Sequence, residues 1–172
     1  MRRDPILLAW GAGLLLAALV YLVGPDRFLF RLIDTLHGTD MVGLIAFRGA
    51  GAELLCPPTR DHAAARRALD YLPTGGRTPL AHALQLAAQL LDDLELSHGG
   101  TLALFTDGRA NMALRGTDPW QDALDAAVRL RASAADLTIN VIDTEQGPHR
   151  LGRAQLLSDA MSATFTSLED RP

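Results

Sequence analysis

The sequence predicts an α/β fold in which a mostly parallel sheet carries helices on both faces. Three apolar runs suit buried strands, namely 41–47 (MVGLIAF), 101–106 (TLALFT) and 137–142 (LTINVI). Strands that are buried on both faces are continuously apolar, whereas half-exposed strands alternate. Longer stretches with helical spacing lie between these runs. Strands that alternate with helices imply parallel pairing.

The first half of the chain contains a helix, a hairpin and a second helix. Residues 26–36 suit a short helix, because apolar residues recur with helical spacing and Gly38 follows the end. Only a short Gly-Ala-Gly turn separates strand 41–47 from a second apolar run at 52–56, so these two strands should form an antiparallel hairpin. The next helix is predicted over 59–72.

The second half repeats the alternation of helices and strands. A long helix rich in Ala and Leu is predicted from Leu80 to about Leu96, where His98-Gly99-Gly100 stops it. The remaining predicted elements are a helix from 118 or 119 to about 134, a helix over 151–162 and a short strand within 163–168.

Composition excludes several classes of function. The chain has 172 residues, enough for one domain with a core, and a net charge of -4 argues against a nucleic-acid partner. All cationic side chains are Arg, so neither a phosphate-loop lysine nor a Schiff-base lysine is available. The single Cys56 is expected to be a buried thiol, and the five scattered His do not suggest a zinc site.

Residues 6–23 form an apolar run without charge. Its eighteen residues nearly suffice for a membrane helix at ~1.5 Å per residue against a hydrocarbon core of ~30 Å. Arg residues flank the run on both sides, so the positive-inside rule gives no orientation. The sequence thus separates into an apolar segment, 1–25, and a domain, 26–172. The expected location is cytoplasmic, with a tether to the inner membrane if the run inserts.

Four polar residues should meet at the carboxyl edge of the sheet, where open α/β sheets bind ligands. They are Thr78, Asp107, Asp143 and Glu145. A hydroxyl and a carboxylate at such an edge suit Mg²⁺. The plainer interpretation is that Asp107-Gly108 is a turn after a strand and that Thr78 is an ordinary helix cap.

The order of four segments resembles the von Willebrand factor type A domain, and more narrowly that of the magnesium chelatase D subunit. These segments are MVGLIAFRGAGAELLCPPT, GGRTPLAHAL, LALFTDGRAN and VIDTEQG. The related cobaltochelatase subunit is a near neighbour. The resemblance covers about residue 38 to the end of the chain.

The resemblance implies a Rossmann-like sheet with a metal-ion-dependent adhesion site at its upper edge. The family's second-loop threonine matches Thr78, and its third-loop aspartate matches Asp107. The first-loop Asp-x-Ser-x-Ser has no match, so Mg²⁺ binding is expected to be weak or absent. No catalytic or other cofactor-binding residue is carried over.

The resemblance also implies partners and a process. The partners are the two other components of the chelatase, an AAA+ ATPase and a porphyrin-binding protein. The process is Mg insertion into protoporphyrin IX for chlorophyll or bacteriochlorophyll synthesis in photosynthesis.

The missing first loop leaves three interpretations of the apolar run. A membrane helix replaces the family's central strand, or residues 5–10 form that strand, Gly11-Ala12-Gly13 a turn and residues 14–23 the first helix. The third interpretation is that the chain is a fragment or the product of an altered reading frame. The corresponding functions are a non-catalytic chelatase module, or a membrane-anchored type A domain that binds an acidic partner through a metal. An independent enzyme has no supporting motif.

Overall fold

The computed structural model describes residues 14–20, 26–70, 76–94, 100–134 and 136–168. Six strands and five helices lie within these ranges. The strands are β1 Leu14–Val20, β2 Met41–Arg48, β3 Gly51–Thr59, β4 Gly100–Thr106, β5 Leu137–Asp143 and β6 Thr164–Ser167. The helices are α1 Asp26–Asp34, α2 His62–Asp70, α3 Leu80–Asp93, α4 Pro119–Ser133 and α5 Arg153–Ala160.

The strands form one sheet in the order β3-β2-β1-β4-β5-β6. Neighbouring strands are parallel except for β2 and β3, which pair antiparallel as a hairpin. The mostly parallel sheet and the hairpin are therefore confirmed. Pro57 and Pro58 lie in β3, at the edge of the sheet, where a residue without an N–H group is tolerated.

Helices cover both faces of the sheet, as predicted. Alternate residues of each strand point to opposite faces. Leu102 and Leu104 of β4 belong to the core under α3, α4 and α5, whereas Ala103 and Phe105 belong to the core under α1 and α2. Phe28 of α1 meets Phe105 edge to face, with ring centroids 5.8 Å apart. The near-continuous burial of β4 explains why its sequence is apolar at almost every position.

The apolar run contributes the central strand of the sheet. Residues 14–20 pair with β2 on one side and with β4 on the other. The prediction that residues 14–23 begin a helix is therefore wrong for 14–20, as is a membrane helix over this part of the run. An apolar sequence is compatible with a strand or with a helix. Residues 14–20 form a strand because they lie between β2 and β4 and pair with both. The predicted strand at 5–10 lies outside the described residues.

A domain boundary at residue 25, as the sequence suggested, would separate β1 from the other five strands of its sheet. In the described ranges, no helix combines the length and the apolar character needed to span a bilayer.

Helix α2 begins three residues later than predicted. Strand β3 continues to Thr59, and the side chain of that threonine accepts the N–H of Asp61 at 3.0 Å. The Asp61 carboxylate in turn accepts the N–H of Ala64 at 3.0 Å, as a helix cap does. Pro57 and Pro58 favour extended backbone, so α2 begins only after them.

The loop between β4 and α4 is held at both ends. Near its start, Gly108 has φ +71, and a Cβ there would lie 2.7 Å from Cβ of Arg153 and 2.9 Å from N of Ala154. Only glycine permits this close approach to α5. Near its end, the Asp122 carboxylate accepts backbone N–H groups of residues 114, 115 and 116 at 2.7 to 3.1 Å. Both contacts fix the path of the loop that begins at Asp107.

We predict that residues 26–172 alone lack a cooperative thermal unfolding transition. Removing β1 breaks its pairing along seven positions of β2 and six of β4. At about 1 kcal/mol per net backbone hydrogen bond, the loss is comparable to the ~5–15 kcal/mol stability of a typical domain. Circular dichroism during heating tests this against the full chain. Ala17→Pro in the full chain should have a similar effect, because proline is excluded from central strands. A sharp transition in both variants contradicts the assignment of β1.

We also predict that Asp122 stabilises the fold only while it is ionised. Backbone hydrogen bonds from Arg115 and Gly116 hold the pKa of the Asp122 carboxyl below its ordinary value. A depressed folded-state pKa means that the stabilisation is present above the unfolded-state pKa of about 3.9 and is lost as the pH falls through the folded-state pKa.

Thermal midpoints of the parent chain and of Asp122→Asn should therefore differ near neutral pH and converge toward pH 3. Asp125→Asn, on the same helix, is the matched control, because its carboxylate accepts only the side-chain amide of Gln121 among the contacts described. A constant difference across the pH range contradicts this role of Asp122.

Candidate functional site

The sheet changes direction at β1, and this defines the edge where a ligand site is expected. The chain passes from β1 to β2 on one side and later returns to β4 on the other. A crevice forms beyond the carboxyl ends of two such strands. Asp107 follows β4 directly, so it lies at this point. We call the carboxyl edge between β2 and β4, with the segments 76–79 and 107–111, the rim.

Thr78 lies in the rim and is buried. The helix that follows has Pro79 at its cap position and no side-chain capping hydrogen bond, so the interpretation of Thr78 as the cap of α3 is wrong. The backbone of Thr78 is held by Asn111 instead. Its N–H donates to Oδ1 of Asn111 at 2.6 Å, and its carbonyl accepts the N–H of Asn111 at 3.2 Å. These two bonds join the second loop of the rim to the third.

Asp107 adopts the turn that its sequence suggests. Its Oδ1 accepts the N–H of Arg109 at 3.0 Å, and its Oδ2 lies 3.6 Å from Nε of the same arginine. The side chain is 25% exposed, so the carboxylate remains accessible at the rim. The cationic group that faces Asp107 is thus a guanidinium from its own loop.

Asp143 is the last residue of β5 rather than the first of the loop, and Glu145 follows the strand as predicted. The carboxylates of both residues stabilise the next loop. Asp143 is buried and pairs with the guanidinium of Arg150. Both oxygens of the buried Glu145 accept the N–H of Leu151 at 2.9 Å. Loop 144–152 is therefore closed by two internal acids. The bonds of Asn111 join the segment of Thr78 to the loop that begins at Asp107, whereas Asp143 and Glu145 stabilise loop 144–152.

Asn111 is the residue of the rim that sequence analysis missed. It is the last residue of the quoted segment LALFTDGRAN, and an amide can serve as donor and acceptor in turns. Its partner lies 33 positions earlier in the chain, so no local pattern reveals the contact.

The donor set at the rim does not fit a tightly bound Mg²⁺ ion. Such an ion takes oxygen ligands in near-octahedral geometry and gives up water reluctantly. Within the described ranges, no group of three His, Cys, Asp or Glu side chains could hold a metal. One oxygen of Asp107 is bound to backbone and the other faces Arg109. The residues that directly follow β1, 21–25, are Tyr-Leu-Val-Gly-Pro and include no Asp or Ser.

Cys56 does not contribute to the site. It is buried in β3, and burial, followed by the nearby charge of Asp61, raises the pKa of its thiol. A thiol that is buried and protonated is a poor nucleophile. The expectation of a buried core thiol is confirmed.

Comparison with known proteins agrees with this architecture. The family profile described as von Willebrand factor type A domain matches residues 26–109. A solved structure described as von Willebrand factor type A from Catenulispora acidiphila superposes with a TM-score of 0.67 at 18% identity, covering 92% of this chain and 39% of that one. At this identity the likeness concerns the fold alone.

Sequence relatives point to a narrower group. The magnesium-chelatase 60 kDa subunit of Cereibacter sphaeroides is 44% identical over 136 residues, which is 75% of this chain and 23% of the relative. The magnesium-chelatase 67 kDa subunit of Chlorobaculum tepidum is 33% identical over 138 residues, which is 73% of this chain and 22% of the relative. The chain thus spans about a quarter of the length of these relatives. It has the fold of von Willebrand factor type A domains, matches their profile over residues 26–109, and is similar in sequence to part of the magnesium-chelatase subunits.

Proposed function

We propose that this chain is a non-catalytic interaction module of a magnesium-chelatase-like assembly. Its similarity to the chelatase 60 kDa subunit over three quarters of its length is the observation that carries the proposal. The expected partners are the AAA+ ATPase and the porphyrin-binding protein of that assembly, and the process served is Mg insertion into protoporphyrin IX. The absence of any Lys from the chain supports a role without ATP hydrolysis of its own.

The rim supports this proposal because it is both held in place and exposed. The segments before α3 and after β4 are joined by the Asn111 bonds, and Gly108 fixes the second of them against α5. A preorganised surface loses less conformational entropy when a partner binds. We therefore place the contact with the AAA+ ATPase at the rim.

We predict that the purified chain binds the chelatase AAA+ ATPase of a photosynthetic bacterium, as measured by biolayer interferometry. Asn111→Ala removes the side-chain bond to the N–H of Thr78 and should weaken binding by about tenfold, the effect of roughly 1.4 kcal/mol. Arg67→Gln is the matched control, because Arg67 is exposed on α2, outside the segments that define the rim. Absence of binding to both the AAA+ ATPase and the porphyrin-binding protein at high micromolar concentration contradicts the proposed function.

We further propose that Mg²⁺ binds the isolated chain with a dissociation constant weaker than about 1 mM, or not at all. Thr78 and Asp107 are the two ligands that the resemblance assigns, and Asp107 already faces Arg109. Isothermal titration calorimetry measures this directly. Submillimolar binding that disappears in Asp107→Ala, with an unchanged thermal midpoint, contradicts it.

A further inference from the structure

Three arginines lie on adjacent segments of the rim. Arg48 ends β2, Arg77 precedes Thr78 and Arg109 follows Gly108, and all three are exposed. The N–H of Gly49 donates to the carbonyl of Arg77 at 2.9 Å, so the end of β2 and the second loop are in direct contact.

The same closeness extends to the third loop. The two bonds between Thr78 and Asn111 join it to the second, and Nη1 of Arg77 lies 3.3 Å from Sδ of Met112. The three arginines are thus carried by backbone segments that cannot separate without breaking hydrogen bonds.

Acidic side chains around the rim leave much of this positive charge available. Asp143 pairs with Arg150, and Glu145 is buried against the backbone of Leu151. Asp107 faces Nε of Arg109 at 3.6 Å, and the Arg109 side chain is still 66% exposed. The chain as a whole has a net charge of -4, so the positive rim is a local exception.

A guanidinium group is the natural binder of a carboxylate. It is planar, always charged, and offers paired N–H donors that match the two carboxylate oxygens. At the rim, Arg109 supplies a positive charge next to Asp107, and Arg77 supplies a second in the segment of Thr78.

We propose that Arg77 and Arg109, with Arg48 beside them, bind a glutamate- or aspartate-rich segment of a partner protein directly, without a bound metal ion. This inference rests on the proposed function as an interaction module, and it names the chemistry of the surface that the partner presents.

The test uses the full chain and a fluorescent peptide of alternating Glu and Ala residues at about 150 mM salt, where charges beyond a Debye length are largely screened. A peptide with Gln in place of Glu controls for charge. Fluorescence anisotropy is recorded in EDTA and again with excess Mg²⁺. We expect the Glu peptide to bind equally in both, and the Gln peptide not to bind.

Three variants identify the groups responsible. Arg77→Gln/Arg109→Gln should weaken Glu-peptide binding by about tenfold, the combined effect of two exposed charge pairs. Arg67→Gln is the matched control, since its side chain is 65% exposed against 66% for Arg109 and it lies on α2; binding should not change. Asp107→Asn should retain or strengthen binding, because it frees Arg109.

Two outcomes overturn the proposal. One is binding that requires Mg²⁺ and disappears in Asp107→Asn, and the other is binding that the double arginine variant leaves intact while thermal midpoints are unchanged. A failure of the chain to bind chelatase components refutes the proposed function separately, because the peptide assay contains no such component.

Discussion

The structure depends on β1, which is hydrogen-bonded on both sides within the sheet. It joins the hairpin of β2 and β3 to the parallel strands β4, β5 and β6. Without a strand in this position, the backbone groups of β2 and β4 that face each other would lose their partners, and buried unpaired N–H and C=O groups are strongly unfavourable. The two halves of the domain share one sheet because this seven-residue segment lies between them.

The position of the rim follows from the same strand. The chain passes from β1 to β2 on one side and later crosses to β4 on the other, so a crevice forms at the carboxyl end of β1. The loops around that crevice are stabilised from within. Asn111 connects two of them, Asp122 anchors the longest one to α4, and Glu145 closes the one before α5. These bonds hold the backbone segments that carry the exposed arginines.

The sequence predicts most elements of the fold but not the identity of the central strand. Strand β4 was predictable because both of its faces are buried and nearly every position is apolar. Residues 14–20 are equally apolar, and an apolar segment of that length cannot be assigned to strand or helix from its own pattern. The choice depends on partners that are distant in the chain, as the register of Leu14 with Met41 illustrates. The site shows a similar division. Thr78 and Asp107 were placed by their neighbouring elements, whereas the bond between Thr78 and Asn111 joins residues 33 positions apart and leaves no local pattern.

The central claim, that residues 14–20 are the middle strand of the sheet, is tested most directly by amide hydrogen exchange of the native full chain. Amides of central strands open only in global unfolding, whereas frayed segments exchange at once. The account predicts that the amides of β1 exchange as slowly as those of Leu102 to Phe105 in β4. Exchange of residues 14–20 at the rate of an unstructured peptide, with β4 still protected, would contradict it.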